Sequence, residues 1–287
     1  MKVAVMVDSN SGIFKQQGEK MGIFVVPMPV VINDETYYEG VNITLDEFFE
    51  HLVGGDNVTS SQPAPGDLIE LWEDALKAGY DEIVYIPMSS GLSSSCATAI
   101  MLAEEFDGKV QVVDNHRISV PQYGSVLDAL KLAGEGKSAL EIKQALEESA
   151  FDCSIYISVE TLEFLKRGGR VTPTAAAIGS VLNIKPVLTI QGDKLDAFAK
   201  VRGTKKGRAK IIESIRKDLT QRFACFDQEN IRIATAGTFR NPEDAEVWRK
   251  EIEDNFPGFD VIYFDLGCSV GTHVGPGAFA AGIYRAL

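Results

Sequence analysis

The chain has 287 residues, 45% of them hydrophobic and 24% charged, with a formal net charge of −13 at pH 7. That length suits two domains and that balance an ordinary soluble globular protein. The acidic excess argues against nucleic-acid binding and against docking on an anionic membrane, and no apolar run reaches the ~18 residues needed for stable membrane insertion. Short apolar runs alternate with amphipathic segments from the N-terminus onward. KVAVMVD (2–8), FVVPMPVVI (24–32), EIVYIPM (82–88) and KVQVVD (109–114) read as buried strands, rich in β-branched residues as strands covered on both faces are. Between them LIELWEDALKAG (68–79) reads as a helix, with Leu68, Leu71, Trp72 and Leu76 on one face and Gly79 at its end. This alternation predicts an α/β fold with a mostly parallel N-terminal sheet and helices on both faces.

The second half changes character. KPVLTIQGDKLDAFAKV (185–201) holds two strand-like runs around Gln191-Gly192-Asp193-Lys194, a hairpin signal. Strands at 231–237, 260–266 and 278–284 and long charged helices near 205–223 and 242–256 complete a mixed α/β sheet. The expected division is an N-terminal domain over 1–157 and a C-terminal domain over 158–287, with a ligand in the crevice between them. TPTAAAIGSVL (172–182), rich in small residues, reads either as a tunnel wall or as a tightly packed helix. The opening MKVAVMVDSNSG reads as a strand rather than a secretory leader, so a cytoplasmic location is expected. Four widely spaced cysteines suit buried free thiols, and no two of His51, His116 and His273 share a helix face, so no metal site is expected.

The densest chemistry lies in PMSSGLSSSC (87–96), a strand–turn–helix with serines at 89, 90, 93, 94 and 95. In open α/β sheets such turns face the ligand crevice, and a helix N-terminus there favours anions. Three readings stand. Ser93 or Ser94 caps the helix. Alternatively Ser93, with Asp265 and His273 following in hydrolase order, is the nucleophile of an esterase or thioesterase, although G-x-S-x-S lacks the last glycine of the nucleophile elbow. Or the serines cradle a carboxylate or phosphate without bond chemistry. A second hydroxyl cluster, Thr59-Ser60-Ser61, favours the cradle, because a hydrolase needs one nucleophile. A binding module for a small polar ligand is the remaining alternative. No glycine-rich nucleotide loop is present, so a complete enzyme is not expected.

Basic charge is concentrated in two segments that hold no acid: Lys166, Arg167 and Arg170 in LKRGGR, and Lys200, Arg202, Lys205, Lys206, Arg208 and Lys210 in KVRGTKKGRAK. Lysines at a helix N-terminus oppose its dipole; the two segments read either as a solvated loop and helix start or as a docking patch, with Arg170, Arg202 and Lys205 as candidates. Asp8-Ser9 and Asp114, at strand ends, suit either a site or a turn cap. His273, before Val274-Gly275-Pro276-Gly277, is placed on a rigid loop tip, where a nearby carboxylate would protonate it.

VTSSQP, PMSSGLSSS, VVDN, LKRGGR, LNIKPVL, KVRGTKKG and GTHVGPGAF, in this order along nearly the whole chain, together resemble the DegV family, bacterial fatty-acid-binding proteins of the fatty acid kinase system. The resemblance implies one long-chain fatty acid buried between two α/β domains. It places the carboxylate at Ser60, Ser61, Ser89, Ser90 and Ser93. It implies presentation to an ATP-binding fatty acid kinase subunit that makes the acyl phosphate, with Arg202 and His273 serving kinase docking or the carboxylate end. No cofactor other than the bound fatty acid, and no catalytic residue of its own, is implied. The family's tyrosine after the serine turn is Cys96 here, which is expected to alter the pocket wall.

Overall fold

The β-branched runs of the first half do pair side by side in the computed structural model, which describes residues 2–177, 184–190 and 194–287. Strands β1 (Val3–Asp8) and β2 (Phe24–Val26) join two later strands in a parallel sheet of order β2-β1-β6-β7. Between them in the chain come β3 (Pro29–Ile32), β4 (Glu35–Tyr38) and β5 (Val58–Ser60), which form a separate antiparallel sheet of order β4-β3-β5. The parallel sheet is completed by β6 (Glu82–Ile86) and β7 (Val110–Val112).

Alternation along the parallel strands sends side chains to two helical layers. Ala4, Met6, Ile83 and Tyr85 pack with Leu68 and Trp72 of α3 (Pro65–Lys77) and with Cys96 and Ala99 of α4 (Ser95–Ala103). Val5, Val7, Val84 and Ile86 pack with Val126 and Ala129 of α5 (Ser119–Gly134) and with Ile142 and Leu146 of α6 (Ala139–Glu148). Helix α1 (Lys15–Met21) flanks β2, and α2 (Leu45–Gly54), closed by a Thr44–Glu47 capping box, lays Phe48 and Phe49 on the small antiparallel sheet.

The second half forms a six-stranded mixed sheet of order β10-β9-β8-β13-β11-β12, where β8 is Cys153–Ser158, β9 Ile184–Ile190, β10 Asp196–Arg202, β11 Ile231–Gly237, β12 Ile262–Asp265 and β13 Phe279–Arg285. Only β11–β12 among its described pairs is parallel. The short helices α7 (Glu163–Gly168) and α8 (Pro173–Ala176) lie between β8 and β9 in the chain, and the sheet's outer face, including Tyr156, Ile233 and Ile283, is covered by α9 (Thr204–Thr220) and α10 (Pro242–Asn255). Its inner face, with Ile155, Ile157, Ile190 and Ala280, meets Met28, Met88, Ile118 and Val120 of the first half. Helix α5 lies between the two sheets. It approaches β13 so closely that a Cβ on Gly124 would sit 2.2 Å from the Tyr284 ring, which only glycine permits.

Several expectations change. The run 24–32 is two strands in two sheets, divided at Pro27, which lacks an N–H for a ladder. The first hydroxyl cluster begins within β5, which ends at Ser60, and the second follows β6, so the two belong to different sheets. The helix expected over 68–79 begins at Pro65, with proline at its first position, and ends at Lys77. The boundary at 157/158 falls inside β8, whose pairing with β9 and β13 runs through Ser158. Cys96, Cys153 and Cys268 are buried free thiols as expected, but Cys225 is exposed. Residues 178–182 of the proposed tunnel wall and the hairpin turn at 191–193 lie outside the described residues. No described helix is long and apolar enough to cross a membrane.

Candidate functional site

Between the parallel and mixed sheets lies a cavity of about 320 Å³ whose wall comes from both halves of the chain, within the range of small-molecule sites. The first half supplies Met28, Met88, Leu92 and Ile118, and the second Ile155, Ile157, Ile190, Leu266 and Ala280. Ser60, Ser61, Gln62, Ser93, Ser94, Arg170 and His273 bring polar atoms to it.

The serine turn is built by its own hydroxyls. Ser89 is buried; its N–H donates to the Arg117 carbonyl (2.8 Å) and its Oγ accepts from Gly91 N–H (3.2 Å). Ser90 N–H donates to Asp114 Oδ1 at 3.3 Å, so Asp114 pins the turn. Ser93 Oγ accepts from Ser95 N–H at 3.1 Å, whereas Ser94, the residue at the cap position of α4, makes no side-chain cap bond. Capping and site-building thus share the cluster: Ser89 and Ser90 shape the turn outside the cavity wall, while Ser93 and Ser94 line it. Gln62 Oε1 accepts from Ser94 Oγ (3.2 Å) and Thr98 Oγ1 (3.1 Å), tying the second hydroxyl segment to the first. Gln62 was not singled out from the sequence, and Cys96 lies in the core behind the parallel sheet rather than in the cavity wall.

His273 sits on the last turn of α11 (Cys268–Val274), not on a loop tip. This seven-residue helix is held at its start by Glu39, whose Oε2 accepts Cys268 N–H at 2.6 Å. Beyond its end, Thr238 accepts Ala278 N–H at 2.9 Å and donates to Gly275 O at 2.7 Å. Cys268 packs among Phe48, Phe49 and Val30, so this late helix rides on the small N-terminal sheet. The outcome is a contact across 213 positions: His273 Nε2 lies 2.8 Å from Ser60 Oγ.

Among the described residues, His273 Nδ1 is buried without a hydrogen-bond partner. A buried N–H costs more unpaired than a lone pair, which places the ring proton on Nε2, donating to Ser60. The Ser60 hydroxyl hydrogen is then free to donate into the cavity. Burial, and next the Arg170 and Arg167 charges, push the imidazole down to about 4. The ring on its own is therefore neutral at physiological pH, the cationic form expected from the sequence depending on a nearby carboxylate, and Arg170 brings a cation to the cavity wall. That residue, expected on a docking surface, spans the crevice: its Nε donates to Leu92 O at 3.2 Å and its Nη1 to Gly168 O.

Gly168 explains one of the glycines in LKRGGR. A Cβ there would fall 2.1 Å from His273 Nδ1. Gly168→Ala is expected to cost about 1–3 kcal/mol as an overpacking change and to displace the imidazole from Ser60. Urea unfolding and the histidine ring NMR shifts check this; an unchanged ring environment would refute it.

The esterase arrangement is not assembled. Asp265 Oδ1 accepts from Tyr263 Oη at 3.0 Å, His273 Nδ1 has no carboxylate, and His273 Nε2 meets Ser60 rather than Ser93. Arg202 and Lys205 are exposed at the end of β10 and start of α9 without an ion pair among the described residues, while Arg208 and Lys210 in the same segment pair with Glu251 and Glu213. Sequence reading also missed Arg117, Ser119 and Ser269; the last two line the cavity. Among the described residues no group of three or more His, Cys, Asp or Glu is placed to hold a metal.

A family model described as "Uncharacterised protein, DegV family" matches residues 2–286. The chain belongs to the DegV family. Protein DegV of Bacillus subtilis is 32% identical over 283 residues, covering 97% of each chain. A DegV domain-containing protein of Deinococcus radiodurans is 32% identical over 280 residues, 97% of this chain and 96% of that one. Among solved structures, a DegV family protein from Thermus thermophilus described for its fatty acid binding superposes with a TM-score of 0.88 at 30% identity, covering 99% of this chain and 100% of that one. The Bacillus subtilis DegV structure, described as a fatty acid binding protein, gives 0.83 at 30% identity over 99% of each chain.

Proposed function

We propose that this DegV protein binds one long-chain fatty acid in the cavity between its sheets and presents the carboxylate to an ATP-dependent kinase partner in the cytoplasm. The observation that carries this reading is the cavity itself: an apolar wall drawn from both halves, with hydroxyl donors and one arginine among its polar groups. About fourteen buried methylenes offer roughly 11 kcal/mol of transfer free energy as an upper bound. The tail therefore supplies affinity, and the carboxylate needs only to have its lost water contacts replaced. Ser61, Ser93 and the free hydrogen of Ser60 are the proposed donors, with Arg170 compensating the charge. Ser89 and Ser90 act indirectly, by shaping the turn. Arg202 and Lys205, exposed and unpaired, are the proposed contacts for the kinase, which supplies ATP and carries out the phosphoryl transfer. We also propose two domains closing on the ligand, divided between α6 and β8 rather than at 157/158.

Mass spectrometry of an organic extract from the denatured, purified protein tests the reading. A stoichiometric long-chain fatty acid is expected. Ser93→Ala is expected to weaken binding by about 1–3 kcal/mol, the loss of one bond to a charged group. An empty extract together with no uptake of added fatty acid would overturn it, as would a covalent acyl adduct on Ser93. Arg202→Ala should leave fatty-acid affinity unchanged and slow acyl phosphate formation; the reverse outcome would move Arg202 from docking to binding.

A further inference from the structure

Three consecutive polar residues at the carboxyl end of β1 are buried in the body of the protein. Asp8, Ser9 and Asn10 are 0%, 5% and 3% exposed, and none of them lines the cavity. Each nonetheless bonds to a methionine that does. Ser9 Oγ accepts Met28 N–H at 3.0 Å, and Asp8 Oδ2 accepts Met88 N–H at 2.7 Å. Asn10 Nδ2 donates to Met88 Sδ at 3.0 Å. Asp8 Oδ1 meanwhile accepts from Asn10 N–H (3.1 Å) and from Gln122 Nε2 (3.0 Å), and the latter amide also donates to Ile86 O at 3.1 Å.

Asp8 and Ser9 are explained by the backbone N–H groups of Asn10, Met88 and Met28 that they satisfy, with the Gln122 amide as a further donor to Asp8. That does not explain the Asn10 side chain, which reaches a thioether. Methionine is the most adaptable apolar side chain, with three rotatable bonds, and it ordinarily lets a cavity accept ligands of several shapes. Sulfur is a weak but directional acceptor. A fully buried amide aimed at it selects the Met88 rotamers that keep Sδ in reach. The amide is itself held by the same cluster, so the wall at position 88 has a fixed shape.

We propose that Asn10 is a positioning residue that sets the acyl selectivity of the cavity by fixing the Met88 side chain. The proposal rests on the reading that the cavity holds a fatty acid. With Met88 tied, the wall favours the acyl chain whose length and bend match it. With Met88 released, the thioether repacks around others.

Delipidated protein exposed to an equimolar mixture of palmitate, stearate, oleate and linoleate, then recovered and extracted for mass spectrometry, tests this. Wild type should retain one acid in preference to the rest. Asn10→Ala should lower the ratio of that acid to its nearest competitor by roughly threefold to tenfold, the scale of one contact to sulfur, with total occupancy maintained. In a Met88→Leu background, Asn10→Ala should produce no further change. If Asn10→Ala does not fold, Asn10→Ser, whose hydroxyl is too short to reach Sδ, gives the same readout. An unchanged ratio in the variant, an equal effect of Asn10→Ala with Met88 absent, or a wild type with no preference would overturn the proposal. A wild type that takes up none of the four acids overturns the fatty-acid reading and this proposal together, whereas a selective wild type with an equally selective variant sinks only the role of Asn10.

Discussion

Replacing Arg117 by leucine is expected to lower stability by about 3–5 kcal/mol, because three buried hydrogen bonds from a charged group are lost at once. Arg117 is 1% exposed and makes no ion pair within bonding distance. Its guanidinium donates to Ser149 O (2.5 Å), Ala150 O (3.4 Å) and Ser125 Oγ (3.2 Å). Leucine would remove a charged donor from two carbonyls and a hydroxyl, each bond worth about 1.5–3 kcal/mol, while Asp152 N–H stays on Ser149 O, the Cys153 thiol on Ala150 O and Asn115 Nδ2 on Ser125 Oγ. The backbone around it adds to the effect. His116 and Ser119 hold φ of 55° and 56°, a left-handed conformation that non-glycine residues adopt only when surroundings enforce it. Arg117 supplies that enforcement, and its own carbonyl accepts Ser89 N–H. The same residue thereby fixes Ile118 and Ser119 in the cavity wall and the serine turn opposite. Urea unfolding reads the stability loss, and fatty-acid uptake by the surviving folded fraction should fall with it. Arg117→Lys keeps the charge but not the planar fork, so an intermediate loss is expected. A loss below about 1 kcal/mol for leucine would show that the network contributes little.

The sequence made the local elements legible and their meetings illegible. Strands β1, β6 and β7 and the β9–β10 hairpin follow from β-branched runs and turn residues that act within a few positions. The serine turn was legible for the same reason: a strand, a glycine and hydroxyls before a helix define a local structure. Sheet membership is not local. Residues 24–32 are apolar on both sides of Pro27, and nothing in their periodicity says that β3 leaves the parallel sheet to pair with β4 and β5. All six residues of β8 are buried, and the expected boundary at 157/158 falls within this strand.

The site shows the same division. Ser60, Ser61 and Ser93 line the cavity. The Ser60–His273 contact did not follow from any pattern, since it depends on α11 packing against Phe48 and Phe49 of a distant helix. A segment with glycines at 271 and 275 reads as a loop. It is helical because Glu39 and Thr238 hold its two ends and Cys268 is buried beneath it. The Asn10–Met88 bond is of the same kind: asparagine after a strand signals a turn, and only the fold shows which thioether the amide meets.

Acidification below neutrality is expected to remove about 2–3 kcal/mol of stability through His273 alone, a figure set by the size of its displacement. In the folded protein, burial and the nearby Arg170 and Arg167 charges hold the imidazole down to about 4, against an ordinary value of 6.5. Between those pH values the unfolded chain takes up a proton that the folded protein refuses. Protons therefore favour unfolding across that window, and the contribution is complete above about pH 6.5 and lost by about pH 4. Two carboxylates, the buried Asp8 and the half-buried Glu39, act in the opposite sense. Burial raises Asp8 to about 6 and Glu39 to about 7, so the folded state binds their protons more readily and gains stability as pH falls through those values. The whole-protein profile mixes these effects, and a comparison with His273→Gln separates them. Glutamine keeps an N–H for Ser60 and cannot titrate. The difference in unfolding free energy between the two proteins should shift by about 2–3 kcal/mol against wild type between pH 7 and pH 4. A bound carboxylate anion favours the imidazolium, so fatty acid should shrink that shift. A wild-type-minus-variant difference that stays constant over this range, with the cavity empty, would mean that His273 is solvated and charged in the folded protein.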